Sequence, residues 1–171
     1  VVNFETITET HSPDNYELFI AIGPSRMNDI RQQKLQEARE KGYTMASHIS
    51  AKAVCDSPIG ENTFVADGAI INPFTVIGDN CMIWEQSYIG NDCTIGENCY
   101  ISPQASVGTY STVADNCVLG TDCTINTKTV IAEKTLVGAN CYISQNTTPN
   151  SVYGLKNSPC LGNISHKINI S

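Results

Sequence analysis

Positive charge is scarce in this chain. Lys and Arg total 10 against 17 Asp and Glu, a net charge of −7 over 171 residues. That shortage excludes a nonspecific nucleic-acid binder, which needs a basic footprint. No apolar run approaches the roughly 18 residues of a membrane helix, so no membrane partner is expected. No basic stretch followed by an apolar one opens the chain, so no secretory signal is read. Histidine is rare, with only His11, His48 and His166. No C-x-x-C pair occurs, and no histidine falls within the repeat described below. A tetrahedral zinc centre lacks ligands there, and no metal is expected.

What the chain does have is period. From Ile59, every sixth residue through Ile143 is aliphatic, and nearly all of these are β-branched. From Thr63, every sixth residue through Thr147 is small. Glycine often follows the aliphatic, as at Gly60, Gly78, Gly90, Gly96, Gly108, Gly120 and Gly138. This is a hexapeptide β-helix repeat. Each hexapeptide makes a short strand and a corner, and three make a triangular coil whose rungs stack about 4.8 Å apart. The aliphatic fills the centre. The small residue points inward beside the corner, and Asn, Asp and Gly at the corners suit positive φ.

Six of the eight cysteines (Cys81, Cys93, Cys99, Cys117, Cys123, Cys141) sit in the small inward slot. There a free cysteine acts as a small hydrophobe. Cys55 and Cys160 lie outside the pattern. Thiols in this number, placed for packing, suit a reducing cytoplasm.

The length allows one domain and a small appendage. Residues 1–46 form a partial α/β segment, 47–148 the β-helix and 149–171 a C-terminal tail. "YELFIAIG" (16–23) reads as a buried strand. "SRMNDIRQQKLQEAREKG" (25–42) reads as a helix capped by Ser25 and ended at Gly42, with a thin stripe of Met27, Ile30, Leu35 and Ala38. "YTMASHIS" returns as a strand, which completes a small β-α-β piece.

"FIAIGPSRMNDIR", "INPFTVIGDNCMIW", "CTIGENCYISPQA" and "VYGLKNSP" together resemble the bacterial hexapeptide-repeat sugar O-acyltransferase family. It includes the sialic acid O-acetyltransferases and the acetyltransferases of nucleotide-linked amino sugars. The resemblance spans roughly residues 16–160. The family's first glycine-rich β-α unit has no counterpart here, which leaves nucleotide binding open. The resemblance implies a left-handed coil, a homotrimer and acetyl-CoA lying in the groove between neighbouring coils. It implies an acyl-CoA-dependent acetyltransferase acting on an amino or hydroxyl group of a sugar. The family's catalytic histidine falls on Asn91, in Gly90-Asn91-Asp92-Cys93.

An amide cannot serve as a general base. Asp92 is the nearest substitute, and burial against another subunit would make its carboxylate a stronger base. The bland alternative is that Asn91-Asp92 is only a good corner pair. Another family position near the acetyl group, often histidine, falls on Tyr100. Residues 18 apart stack, which puts Asn91 between Pro73 and Thr109, and Asp92 between Phe74 and Tyr110. "LGTD" and "VGAN" resemble the coils along which pantetheine runs, and they nominate Gly120, Thr121, Gly138 and Ala139; the same glycines also suit plain corners. Glu85 and Tyr110 are candidates for acceptor binding. Trp84 stands where small residues otherwise stand, and marks a subunit interface or a ligand wall. The rival reading is a non-catalytic trimeric relative, a binding or scaffold protein that has lost its base.

Overall fold

A computed structural model describes residues 1–155. Two-residue strands run from His48–Ile49 to Val152–Tyr153. They form three parallel faces of seven, six and four strands. The coil is a left-handed parallel β-helix. Met82 pairs with Tyr100, Tyr88 with Ser106 and Thr94 with Thr112, each step spanning 18 residues. The first and last rungs are shorter. His48 pairs with Phe64, and Leu136 with Val152, across 16 residues. The final strand, Val152–Tyr153, therefore lies within the stretch read as the tail. Cys160 and the isoleucines of the tail lie outside the described residues.

Each coil has three corners. The first, around residues 84–87, leads from the seven-stranded to the six-stranded face. The second, around 90–93, leads to the four-stranded face. The third, around 96–99, returns to the start. One residue per corner holds a left-handed φ, for instance Gln86 at 57°, Asp92 at 54° and Asn98 at 58°.

The inward aliphatics form a continuous core from Val65 to Ile143. The small slot does more than leave room. Thr75 Oγ1 donates to Gly90 O at 2.8 Å, Cys81 Sγ to Gly96 O at 3.0 Å and Ser111 Oγ to Asn126 O at 2.9 Å. Cys93, Cys99 and Cys117 donate in the same way to Gly108, Ala114 and Ala132. A buried carbonyl without a donor costs about 1–3 kcal/mol, which explains Ser, Thr and Cys in a slot that volume alone would leave to Ala.

Cys93, Cys99 and Cys123 are poor nucleophiles, whereas hydrogen bonding with Cys99 lowers Cys117. Burial pushes Cys123 up to about 12 and raises Cys93. Cys99 is raised well above the ordinary thiol range by hydrogen bonding to Cys117 and Cys81 on either side, and by burial. Native labelling with a maleimide at neutral pH is expected to modify only Cys55, which is half-buried, and Cys160 quickly. Mass spectrometry that finds Cys93 or Cys99 labelled within minutes would contradict the packing role.

The N-terminal segment packs on the outside of the seven-stranded face. A 3-10 helix spans Phe4–Glu9, and Leu18 bridges Met45. The helix, α1 (Asp29–Glu40), starts later than the Ser25 cap predicts. Arg26, Met27 and Asn28 all take positive φ, at 51°, 53° and 70°, so the right-handed helix cannot begin before Asp29. The end at Gly42 holds, with φ at 90°. The buried stripe also differs. Arg31, Leu35 and Ala38 are buried, while Met27 and Ile30 are only half-buried.

Arg31 fastens this segment to the third corner. Its guanidinium donates to the carbonyls of Ile22, Asn80, Asn98 and Cys99 at 3.0–3.3 Å. Below it, Asn62, Asn80 and Asn98 form a ladder with two amide hydrogen bonds of 2.6 Å. Asn62 Oδ1 also accepts from Ile20 N at 2.7 Å, which ties the segment to the first full rung.

Candidate functional site

Asn91 and Asp92 form the second corner of their coil, between the strands Tyr88–Ile89 and Thr94–Ile95. The expected stacking is present. Asp92 N donates to Pro73 O at 3.3 Å, and Tyr110 N to Asn91 O at 3.0 Å. Gly90, just before the pair, has no room for a side chain, because a Cβ would lie 2.6 Å from Thr109 N.

The neighbours of Asp92 are unusual for left-handed backbone. Phe74 and Tyr110 hold φ of 63° and 59°. Bulky residues there cost roughly 1–2 kcal/mol each relative to the right-handed region. Both rings also face solvent, with Phe74 at 81% and Tyr110 at 60% exposure. Two exposed aromatics on left-handed backbone thus flank the Asp92 carboxylate. Among the described residues, neither the Asn91 amide nor the Asp92 carboxylate makes a side-chain hydrogen bond, so both are free to meet a ligand.

The other nominated residues lie elsewhere. Glu85, Thr121 and Ala139 are exposed at the first corner, at the other end of the six-stranded face's strands. Gly120 and Gly138 lead into the same corner. Gly120 is required by stacking alone, since a Cβ would lie 2.6 Å from Ala139 N. Gly138 is freer, with Tyr153 O at 3.0 Å. Tyr100 stands on the seven-stranded face. A single chain thus brings Asn91, Asp92, Thr109 and Tyr110 together, and separately gathers Glu85, Gly120, Thr121, Gly138 and Ala139. It does not join the two groups.

Trp84 lies where the N-terminal segment covers the seven-stranded face. Phe19, Ala21, Ile22 and Gly23 from the segment, with Phe64, Met82 and Trp84 from the face, enclose a cavity of about 160 Å³. An aromatic row crosses it. His48 stacks on Phe64 with centroids 5.4 Å apart, Phe64 meets Trp84 at 5.5 Å, and Trp84 meets Tyr100 at 5.9 Å. The Trp84 indole Nε1 is buried without an acceptor. Burial raises the Tyr100 phenol above its ordinary range, against the opposing pull of the Arg31 charge.

Sequence reasoning missed Arg31 and this cavity. Arg31 was detectable at i, i+4 and i+7 with Leu35 and Ala38, a stripe position no solvated arginine needs. The cavity had no linear signal. Among the described residues no three metal-ligating side chains converge.

Solved structures share the architecture. PerB from Caulobacter crescentus, in complex with CoA and GDP-perosamine, superposes with a TM-score of 0.82 at 24% identity, over 88% of this chain and 72% of that one. A histidine-to-asparagine mutant of perosamine N-acetyltransferase from Caulobacter crescentus, also with CoA and GDP-perosamine, gives 0.80 at 25% identity, over 88% and 70%. The acetyltransferase domain of PglB from Neisseria gonorrhoeae gives 0.82 at 22% identity, over 90% and 76%. Among curated proteins, none matches the sequence. One family model, described as GMPPB C-terminal domain, matches residues 50–159.

Proposed function

This chain belongs to the GMPPB C-terminal domain family, and from that premise we propose that it is an acyl-CoA-dependent acetyltransferase acting on an amino or hydroxyl group of a free or nucleotide-linked sugar. The observation that carries the reading is the extent of the likeness to CoA-bound sugar acetyltransferases. An overlap of 88% of the chain exceeds the β-helix alone and reaches into the segment before it, where the strand expected at 16–23 is reduced to a single bridge at Leu18. Acetyl-CoA is the co-substrate, and the reaction as read uses no metal.

In this reading the site is completed by a second copy. The first corner of one protomer, with Gly120, Thr121, Gly138 and Ala139, holds the pantetheine arm, with Tyr100 of the adjoining face near the thioester. The second corner of the neighbour brings Asn91 and Asp92, with Thr109 beside the thioester. Asp92 takes the proton of the attacking group, Asn91 orients the acceptor or donates to the thioester oxygen, and Glu85 and Tyr110 hold the sugar. An unprotonated amine needs less help from a base than a hydroxyl, which suits a site without histidine.

A homotrimer joins the corners. Ile70, Phe74, Val76, Tyr88, Tyr110 and Val130 are exposed around the second corner and its flanking faces, apolar surface that a monomer has no reason to keep. Sedimentation velocity is expected to show a trimer at micromolar concentration. A monomer there would remove the shared site, and the catalytic reading with it.

Asn91 also favours a second reading, a trimeric β-helix that binds or scaffolds without catalysis. Titration with acetyl-CoA, followed by thiol-release assays with amino sugars and their hydroxyl analogues, separates the two. Binding with turnover supports the enzyme. No binding of acetyl-CoA supports the scaffold.

A further inference from the structure

We infer that the cavity behind Trp84 is an acyl-chain pocket, so that the site takes, beside acetyl-CoA, thioesters with acyl groups of about four to six carbons and holds them more tightly. This rests on the acyl-CoA reading above and widens its donor range beyond acetyl.

Position gives the first argument. Gly138, Gly120, Ser102 and Trp84 occupy one outward column, each 18 residues from the next. Gly120 N bonds Val137 O, Ser102 N bonds Leu119 O and Trp84 N bonds Ile101 O on successive rungs. A pantetheine arm lying along the glycines therefore runs over small residues until it meets the indole.

Size and chemistry give the second. The cavity is about 160 Å³ and its walls are aromatic or aliphatic, apart from backbone. An apolar cavity of about 150 Å³ stays dry and accepts a guest of benzene size. Acetyl alone would leave most of it empty. Loss of packing contacts makes such a void costly, so an occupant of matching size is favoured.

The third argument is the unpaired donor. Trp84 Nε1 is buried with no acceptor at full hydrogen-bond geometry, only a loose contact to the Tyr100 hydroxyl, and an under-satisfied buried donor costs about 1–3 kcal/mol. Tyr100, whose hydroxyl likewise has no acceptor among the described residues, stands beside it. A thioester carbonyl at the mouth of the cavity supplies an acceptor, while its alkyl chain fills the space behind. The rim is open for entry, since Ala21 and Gly23 are exposed.

Trp84 is the only tryptophan in the chain, so its emission reports this cavity alone. The test is a fluorescence titration of the full chain with CoA, acetyl-CoA, butyryl-CoA, hexanoyl-CoA and decanoyl-CoA. Each added methylene is expected to tighten binding about fourfold until the cavity is full. Butyryl-CoA should thus bind on the order of tenfold tighter than acetyl-CoA. Hexanoyl-CoA should shift the emission, and decanoyl-CoA should gain nothing further. Gly23→Leu narrows the space without strain, because a Cβ there has no atom within 4 Å. That variant should lose the chain-length preference, and Ala21→Leu serves as a second filling variant. Equal or weaker binding of butyryl-CoA relative to acetyl-CoA overturns the pocket and leaves the acetyltransferase reading intact. Failure of every CoA species to bind overturns both. A chain-length preference that survives both filling variants places the tail elsewhere and also overturns the pocket.

Discussion

Asn91→His is expected to raise transfer to hydroxyl acceptors by on the order of 10²–10⁴, the usual worth of a general base. The substitution is clean. Among the described residues the Asn91 side chain makes no hydrogen bond that histidine would break, and its backbone carbonyl keeps the Tyr110 N–H. The gain should be smaller with amines, which are already nucleophilic when unprotonated. Asp92→Asn is the complement. Asparagine tolerates the left-handed backbone as well as aspartate does, so the change removes charge and little else. Native activity should disappear in that variant if Asp92 is the base. The measurement is steady-state thiol release on native protein and both variants. High native activity on a hydroxyl acceptor, unmoved by Asp92→Asn, would overturn the assignment. Failure of all three proteins to bind acetyl-CoA would leave a scaffold.

Arg31→Met should loosen the N-terminal segment from the coil. The arginine is fully buried and donates to four different carbonyls, three of them on neighbouring rungs of the third corner. Burial holds its charge below the ordinary guanidinium range, so part of the gain from these bonds is spent on desolvation. Methionine relieves the buried charge but leaves the carbonyls without donors. A net loss of about 3 kcal/mol follows from hydrogen bonds to a charged group. Lysine would not rescue it, since a single ammonium cannot reach carbonyls spread around a planar fork. The loss should be local. The cluster of Ile20, Leu35, Ala38, Tyr43 and Met45 is separate from the aliphatic core. Hydrogen exchange should therefore speed up across residues 16–46 while the strands from Phe64 onward stay protected. Uniform loss of protection along the whole chain would contradict a local clamp.

The coil was legible because its cause is periodic. An inward aliphatic every six residues dictates the strands, the faces and the cysteine slots, and counting by 18 places Asp92 between Phe74 and Tyr110. The same count also separates Asn91 from Gly120 by corner, so the division of the nominated residues between two edges was open to arithmetic. The remainder depended on contacts that no period encodes. The Ser25 cap failed because three consecutive left-handed residues postpone the helix to Asp29. Trp84 read as an outward oddity because the strip that covers it, Phe19 to Gly23, comes from outside the repeat. Arg31 read as one more polar helix residue, and only the docked corner shows why it is buried. The preference for Ser, Thr and Cys over Ala in the small slot was visible as a list of residues, yet its reason, a carbonyl 15 positions onward, needed the third dimension.

The 18-residue step between rungs gives this gene a reading frame of its own. Loss of residues 112–129 would bring Val130 into the place of Thr112, since the two already pair, and every later column would continue as before with one turn fewer. Loss of only six residues between Cys93 and Gly120 would be a frameshift in space. The core would still alternate aliphatic and small, and each strand would still find a partner. Gly120, however, would pass from the first corner to the third, while Asn91 stayed on the second. Insertions and deletions in this chain are thus graded by their remainder on division by 18, and a variant can keep its fold while its surface is dealt out to the wrong edges.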